Sequence, residues 1–237
     1  MVKHNKEPVH SSNKAKPLVL ITLIVVILIV ALFVITTKQE EKAQEPARFS
    51  EQPSLLNQPT LGKDNAPVTV IEFGDYKCPS CKSWSARIYP QLMKDYIDAG
   101  KIKFAYINVL FHGEESQLAS LAAESVFTQD PKAFWTYHKA LYAAQPAQAN
   151  HDETWITQQS LLEMAKANIP QIDLTKLEED VKASKSLPEL NIDSTLVEQY
   201  KVQLTPTIII NGIVMDDPFD YNKIKDVIDQ ELEDNNR

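Results

Sequence analysis

Two cysteines separated by two residues constrain this chain more than any other feature of its 237 residues. Cys78 and Cys81 are its only cysteines, and they follow an apolar run at 68–73 that is typical of a buried β-strand. The residues after Cys81 have helical periodicity. A thiol at such a strand–helix junction faces unpaired backbone N–H groups and the positive end of the helix dipole, which favour the thiolate. The pattern therefore predicts a redox-active dithiol at the start of a helix.

Two other uses of a cysteine pair fit these residues less well. A structural disulfide that closes a four-residue loop would stabilise the fold by only about 2 kcal/mol in the chain-entropy model. A zinc site would need further ligands, and no two histidines have the spacing of a zinc finger. The histidines are His4, His10, His112, His138 and His151. Redox chemistry is the preferred interpretation, with the structural disulfide and the metal site as alternatives.

The second strong signal is an apolar run near the N-terminus. Residues 18–35 contain nothing more polar than Thr22, and as a helix they would extend about 27 Å, the thickness of a hydrocarbon core. A cleaved signal peptide is the alternative, but the run is longer than the usual h-region and no small-x-small site follows it. We therefore predict an uncleaved transmembrane anchor at 18–37.

The flanks of this run predict its orientation. Four lysines precede it, opposed only by Glu7, so residues 1–17 should form a cytoplasmic tail and everything after the anchor should lie outside the cytoplasm, on a single-pass protein of the cell membrane. Dithiol oxidation persists in such compartments. The chain has a formal net charge of −8, which argues against nucleic acid as a partner.

A linker and one globular part should follow the anchor. Residues 38–60 are rich in Glu, Gln, Ala, Lys and Pro, a composition too polar for a core. The strand at 68–73 should be followed by a helix that Pro90 kinks and Gly100 ends, and then by a strand at 101–109. This is a βαβ unit with parallel strands, and it places the cysteines at the carboxyl end of the first strand.

The remainder of the chain changes character twice. Residues 114–200 repeat apolar side chains at helical spacing, and prolines divide them into four or five helices without a strand. A β-hairpin then turns at Asn211-Gly212, a dipeptide whose turn matches the twist of paired strands. An amphipathic helix from Tyr221 to Leu232 ends the pattern.

Without the helical block, the predicted elements follow the order of the thioredoxin fold. Thr205-Pro206 falls directly before the hairpin, where that fold has a cis-proline opposite the cysteines. The chain resembles the DsbA group of thiol oxidoreductases, in which a helical domain is inserted into a thioredoxin core, and in particular its membrane-anchored members from Gram-positive bacteria. The segments that carry this resemblance are GKDNAPV at 62–68, EFGDYKCPSCK at 72–82, FHG at 111–113 and TPT at 205–207.

The resemblance implies an α/β architecture. A thioredoxin-like domain would comprise residues 61–112 and 201–237, with an all-helical insertion at 113–200, preceded by the single transmembrane helix. The group's function would be to introduce disulfide bonds into exported proteins, with the Cys78–Cys81 disulfide in place of any bound cofactor or metal and with a quinone-linked DsbB-like membrane oxidase as the recharging partner. A disulfide reductase or isomerase, and a non-catalytic anchored chaperone or binding module, are the alternatives.

Several residues are expected to support the two catalytic cysteines. Cys78 should be the thiolate, because it begins the helix with Pro79 at a position where a missing N–H costs nothing and with Lys77 beside it. The family resemblance places Thr205 and Pro206 against Cys78, although Pro206 can also be read as a plain strand-start proline. Pro79 is followed by Ser80 where the DsbA group has histidine, which leaves the oxidising strength open.

Two more residues are candidates for proton transfer or for lining the site. Glu72 interrupts the apolar strand, and a buried carboxylate there can exchange a proton with Cys81; its alternative is an exposed strand residue. His112 follows the second strand and can line the site, although a loop hydrogen bond is the simpler expectation. Phe134, Trp135, Tyr137 and His138 are most simply helix packing.

Overall fold

The computed structural model of the chain describes residues 24–32, 47–146 and 154–235. The chain divides into two units, 1–45 and 46–237. In the first unit, residues 24–32 form a helical segment whose side chains are exposed. None of the helices within the described ranges is both long enough and apolar enough to cross a membrane. The rest of the predicted anchor, the cytoplasmic tail and the start of the linker lie outside the described residues.

The second unit is built on one sheet, which has five strands in the described residues in the order β1-β3-β2-β4-β5. The strands are β1 (Thr60–Gly62), β2 (Val68–Gly74), β3 (Ile102–Asn108), β4 (Thr207–Ile210) and β5 (Ile213–Val214). β2 and β3 are parallel, with Val68 opposite Ile102, and the other neighbours are antiparallel. All seven residues of β2 are buried, as expected for a central strand covered on both faces.

The helices fall into two groups. Those of the sheet domain are α1 (Pro79–Arg87), α2 (Tyr89–Leu92) with a π-helical turn at Met93–Ile97, and α8 (Tyr221–Asn235). The inserted helices are α3 (Glu114–Gln129), α4 (Pro131–Ala144), α5 (Gln158–Asn168), α6 (Leu174–Lys182) and α7 (Leu187–Gln199). Two apolar cores result, one on each face of the sheet. The larger includes Trp84, Phe104 and the inserted helices α3 to α6, and the smaller packs Phe73 and Ile107 against Tyr200.

Most local predictions are confirmed. The helix that contains Cys81 breaks at Ile88, two residues before Pro90. Proline has no N–H to donate to the preceding helical turn, and its ring disfavours helical backbone at the residue before it. Gly100 ends the following turn with φ +67°. Asn211 and Gly212 both have positive φ, 46° and 84°, as the turn of the predicted hairpin requires. Five helices and no strand occupy the described part of the insertion.

The end of the predicted linker differs from expectation, because residues 47–60 pack on the domain. Ala47 and Phe49 exchange backbone hydrogen bonds of 2.8 Å with Val214 and Gly212, so this segment extends the sheet beyond β5. The Phe49 ring lies 4.8 Å from that of Tyr200, and Gln58 is buried. β1 is only three residues long. A polar composition and a strand this short leave no periodicity from which to predict them.

Gly74, at the end of β2, is closely surrounded by core side chains. A Cβ there would lie 2.5 Å from Tyr106 Cε2 and 2.8 Å from Tyr142 Oη, both in the core. We expect Gly74→Ala to lower the free energy of unfolding by about 1–3 kcal/mol through overpacking, as measured by denaturant unfolding.

Gly113→Ala is a comparison variant in which backbone strain acts without overpacking. A Cβ at Gly113 meets no atom within 4 Å, so only the strain of φ +70° remains. With ψ −138°, this backbone conformation is nearly restricted to glycine, so the strain should cost about 1–3 kcal/mol without any overpacking. Equal stability of Gly74→Ala and wild type would contradict the packing described at Gly74.

Candidate active site

The two cysteines occupy different positions at the start of α1. Cys78 is the N-cap residue with extended backbone (φ −74°, ψ 122°), and Pro79 takes the first helical position. Cys81 lies in the first turn. Both are free thiols in the structure. Cys78 retains 7% of its surface and Cys81 none, so only Cys78 is open to attack.

The environment of Cys78 favours its thiolate. Its pKa is lowered to about 5, first by a hydrogen bond from the Cys81 thiol and then by the Thr205 side chain and the backbone amides of Cys81 and Ser80. These donors outweigh the burial of the sulfur, which raises the pKa. A thiol with this pKa is almost wholly ionised at pH 7, whereas an ordinary cysteine is about 3% ionised.

Cys81 has the opposite tendency. Its pKa is raised well above the usual value by burial, by the hydrogen bond that it gives to Cys78, and by the charge of Glu72. The Asp75 backbone N–H lies 3.5 Å from its sulfur and partly offsets these effects. At neutral pH the pair is therefore one thiolate, at Cys78, and one buried thiol, at Cys81.

The structure brings Thr205 and Pro206 to the redox pair. The Thr205–Pro206 bond is cis, as predicted, and Pro206 is buried at the start of β4. The Thr205 carbonyl oxygen lies 3.4 Å from Cys78 Sγ and accepts the hydrogen of its thiol form. Pro206 directly precedes β4, as a plain strand-start proline also would, and its cis bond and the contact of Thr205 with Cys78 agree with the position that the family resemblance implies.

Glu72 is fully buried in β2, so the alternative of an exposed strand residue is wrong. Neither carboxylate oxygen has a hydrogen-bond partner within the described residues. Burial, and next the charge of Cys78, raise its pKa well above the usual value. Glu72 therefore holds a proton beside the cysteines at pH values where an exposed glutamate would be ionised.

Asp75 is a site residue that the sequence analysis missed. It is fully buried directly after β2 and accepts hydrogen bonds from the backbone of Lys77 (2.8 Å) and of Phe111 (3.0 Å), and from the Ser116 hydroxyl (2.9 Å). His112 Nδ1 lies 2.8 Å from the same carboxylate, which raises the pKa of His112. The expected loop hydrogen bond of His112 is thus present. The only sequence signal was an acidic residue at the end of a buried strand.

Lys77 has a different role from the one predicted. Its ammonium is buried and forms an ion pair of 2.6 Å with Glu115 at the start of α3. The other oxygen of Glu115 accepts the backbone N–H groups of Trp155 and Ile156. The hydrogen bonds at the sulfur, led by that from Cys81, account for the low pKa of Cys78.

An aromatic cluster lies in the same apolar core as the two cysteines. Tyr76 bonds to His138 at 3.0 Å, and the hydroxyls of Tyr106 and Tyr142 lie 2.9 Å apart. Burial lowers the pKa of His138 to about 3, so this imidazole is neutral. The interpretation of His138 as packing is confirmed, with the addition of its bond to Tyr76.

A second buried polar group lies at the carboxyl end of β3, where Asn108 is opposite Gly74. Asn108 donates to Glu124 at 2.8 Å and to Asp193 at 2.9 Å, and Gln58 donates to Asp193 at 2.7 Å. Burial raises the pKa of Glu124 to about 8 and that of Asp193 to about 6. These are oxygen donors of the type that hard cations prefer. The described residues contain no cluster of three or more His, Cys, Asp or Glu side chains arranged to hold a metal.

Comparison with known proteins agrees with this geometry. A family model described as thioredoxin matches residues 54–230. Disulfide bond formation protein D of Bacillus subtilis (strain 168) is 44% identical over 183 residues, which cover 77% of this chain and 81% of that protein.

Solved structures show the same relationship. Oxidised BdbD from Bacillus subtilis superposes with a TM-score of 0.74 and 43% identity, covering 78% of this chain and 98% of that one. DsbA of Chlamydia trachomatis shares the fold, with a TM-score of 0.64 and 22% identity over 73% of this chain and 90% of that one. The chain therefore belongs to the thioredoxin family, and within it to the DsbA-like thiol-disulfide oxidoreductases that include disulfide bond formation protein D.

Proposed function

We propose that this oxidoreductase works outside the cytoplasm as a disulfide oxidase, transferring the Cys78–Cys81 disulfide to exported proteins that have reduced cysteines. The observation that carries the proposal is the opposite environment of the two sulfurs, an N-cap thiolate with a pKa of about 5 and a buried thiol with a raised pKa. An environment that stabilises the reduced pair makes the disulfide a stronger oxidant.

The first step is attack of a substrate thiolate on Cys78 Sγ. A mixed disulfide forms, the Cys78–Cys81 bond breaks, and Cys81 leaves with the electron pair and takes up a proton. A second substrate thiolate then attacks the substrate sulfur of the mixed disulfide and releases the Cys78 thiolate. The substrate loses two electrons and two protons overall, and the enzyme disulfide gains the two electrons.

Glu72 is the proposed proton source for departing Cys81. Its pKa is raised by burial, so it is protonated when the disulfide is intact, and its negative charge in turn raises the pKa of Cys81. Proton transfer between these two groups would avoid leaving two negative charges in the apolar core.

The substrate would lie across Cys78 as an extended segment paired with the backbone at Thr205. Leu204, next to Thr205, is 76% exposed. Phe111, whose backbone N–H donates to Asp75, is 47% exposed. These two apolar side chains suit an unfolded polypeptide, which exposes apolar residues around its cysteines.

Residues 18–37 are proposed as the membrane anchor that keeps the domain outside the cytoplasm. The segment 24–32 supports this, because its large apolar side chains are 48–66% exposed and would leave water in a bilayer. A quinone-linked DsbB-like membrane oxidase would reoxidise Cys78 and Cys81. The net direction of electron flow separates this function from that of a reductase or isomerase, and turnover separates it from that of an anchored chaperone.

The reactivity of Cys78 should follow its thiolate. We expect alkylation of the reduced enzyme by iodoacetamide to rise with pH through a midpoint near 5, the pKa set by the hydrogen bond from Cys81, and then to level off. Mass spectrometry should locate the label on Cys78. In the Cys81→Ala variant the midpoint should move upward, and an unchanged midpoint would contradict this account of the thiolate.

Replacement of each cysteine should separate their roles. Cys78→Ala should abolish oxidation of a reduced substrate protein, because the variant has no Cys78–Cys81 disulfide to transfer and its remaining thiol, Cys81, is buried. When the substrate protein contains disulfides, Cys81→Ala should accumulate mixed disulfides, visible on non-reducing gels. The Cys78 thiolate attacks a substrate disulfide and releases one substrate thiolate, and no internal thiol is then available to displace the bound substrate. Oxidation of the substrate by Cys78→Ala at the wild-type rate would contradict the assignment of Cys78 as the attacked sulfur.

The relative stability of the two redox forms tests the oxidase function, and it is measured by redox equilibration with glutathione and by thermal melting. The reduced form should be the more stable one at pH 7, with a higher melting temperature than the disulfide form. The folded pKa of Cys78 is below that of an unfolded thiol, so this stabilisation is complete above about pH 8.5 and is lost as the pH falls through about 5. A disulfide form that melts higher at pH 7 would favour the reductase.

A further inference from the structure

Gln145 connects the helical insertion directly to the cysteine turn. It lies at the C-terminal end of α4 and is 2% exposed. Its side-chain Nε2 donates to the carbonyl oxygens of Tyr76 at 2.7 Å and of Cys78 at 3.2 Å. Both hydrogens of one amide group are therefore bound to the segment that presents the reactive sulfur.

The backbone of Gln145 makes a third contact. Its carbonyl oxygen accepts a hydrogen bond from Lys82 Nζ. Lys82 follows Cys81, so this one residue of the insertion holds the redox turn on both sides of the cysteine pair. The contacts span 63 to 69 positions in sequence, and local sequence cannot predict them.

The side-chain amide of Gln145 is hydrogen-bonded through its nitrogen and not through its oxygen. Gln145 Oε1 is buried and has no partner within the described residues. An unsatisfied buried oxygen is destabilising, a cost that an apolar side chain of the same shape would not incur. Turning the amide over would instead place Oε1 against two carbonyl oxygens. Hydrogen bonding to Tyr76 and Cys78 is thus the reason for an amide at this place.

The Cys78 carbonyl is a sensitive point of the turn. The peptide bond between Cys78 and Pro79 has no N–H, so only its carbonyl can be fixed by hydrogen bonds. That oxygen accepts the Lys82 backbone N–H at 3.2 Å and the Gln145 amide. Together they fix the extended N-cap backbone of Cys78, from which the backbone amides of Ser80 and Cys81 favour its thiolate.

We propose that Gln145 is a positioning residue of the redox site, through which the helical insertion holds Cys78 in its thiolate-stabilising conformation. Gln145 acts through the backbone and touches neither sulfur. Its effect is on the thiolate itself, so the proposal holds for either direction of net electron flow and is independent of the oxidase function.

The substitution Gln145→Met tests this role, since methionine has nearly the same shape but donates no hydrogen bond. We expect the alkylation midpoint of Cys78 to rise by about one pH unit, which lowers the alkylation rate at pH 5 about fivefold. The equilibrium with glutathione should shift toward the protein disulfide in the same variant, because the reduced form has lost part of its stabilisation.

Gln129→Met is the matched control, because Gln129 also belongs to the insertion and bridges to backbone, that of Asp173, at 3.1 and 3.4 Å. It should leave the Cys78 midpoint at its wild-type value. A folded Gln145→Met protein with the wild-type midpoint and glutathione equilibrium, whatever its melting temperature, would overturn the proposal.

A second variant covers a failure of Gln145→Met to fold. In Gln145→Asn the amide is one methylene shorter and withdraws from both carbonyls, so the midpoint should rise in the same direction. A wild-type midpoint in that variant would overturn the proposal equally.

Discussion

A single hydrogen bond between two sulfurs sets the character of the site. Given by Cys81 to Cys78, it is the largest cause of the low pKa of Cys78 and adds to the burial that raises the pKa of Cys81. It forms because the first turn of α1 places an N-cap residue and the third helical residue on the same side. The rest of the domain holds that turn at the end of β2 and keeps water from one of its two sulfurs.

Three buried polar side chains surround the turn, each from a different part of the fold. Glu72 comes from the central strand, Asp75 from the loop that leaves it, and Gln145 from the inserted helices. Asp75 is saturated with donors, whereas both oxygens of Glu72 lack partners within the described residues. A satisfied carboxylate fixes a loop, and an unsatisfied one stores a proton. The site uses one of each, three residues apart.

The sequence allowed prediction of those features that depend on neighbouring residues. The cysteine turn, the kink near Pro90, the Asn211-Gly212 hairpin and the helical block all follow from local patterns. The Thr205–Pro206 contact with Cys78 followed only from the family resemblance. Asp75 and Gln145 were missed because most of the partners of Asp75 and all of those of the Gln145 side chain lie tens of residues away, and a lone aspartate or glutamine has no periodicity. The burial of Glu72 was one of two alternatives, since an acidic residue in a strand can face either way.

The segment 47–49 has a consequence for how polypeptides can approach the domain. Its pairing with β5 occupies hydrogen-bonding groups that an edge strand would otherwise offer to any extended chain. An unfolded polypeptide can add to an open sheet edge and aggregate there. Residues 47–49 fill this edge and so limit backbone pairing on this side of the sheet to the domain itself. In the mechanism that we propose, the Thr205 loop then remains the place where an extended substrate segment meets Cys78.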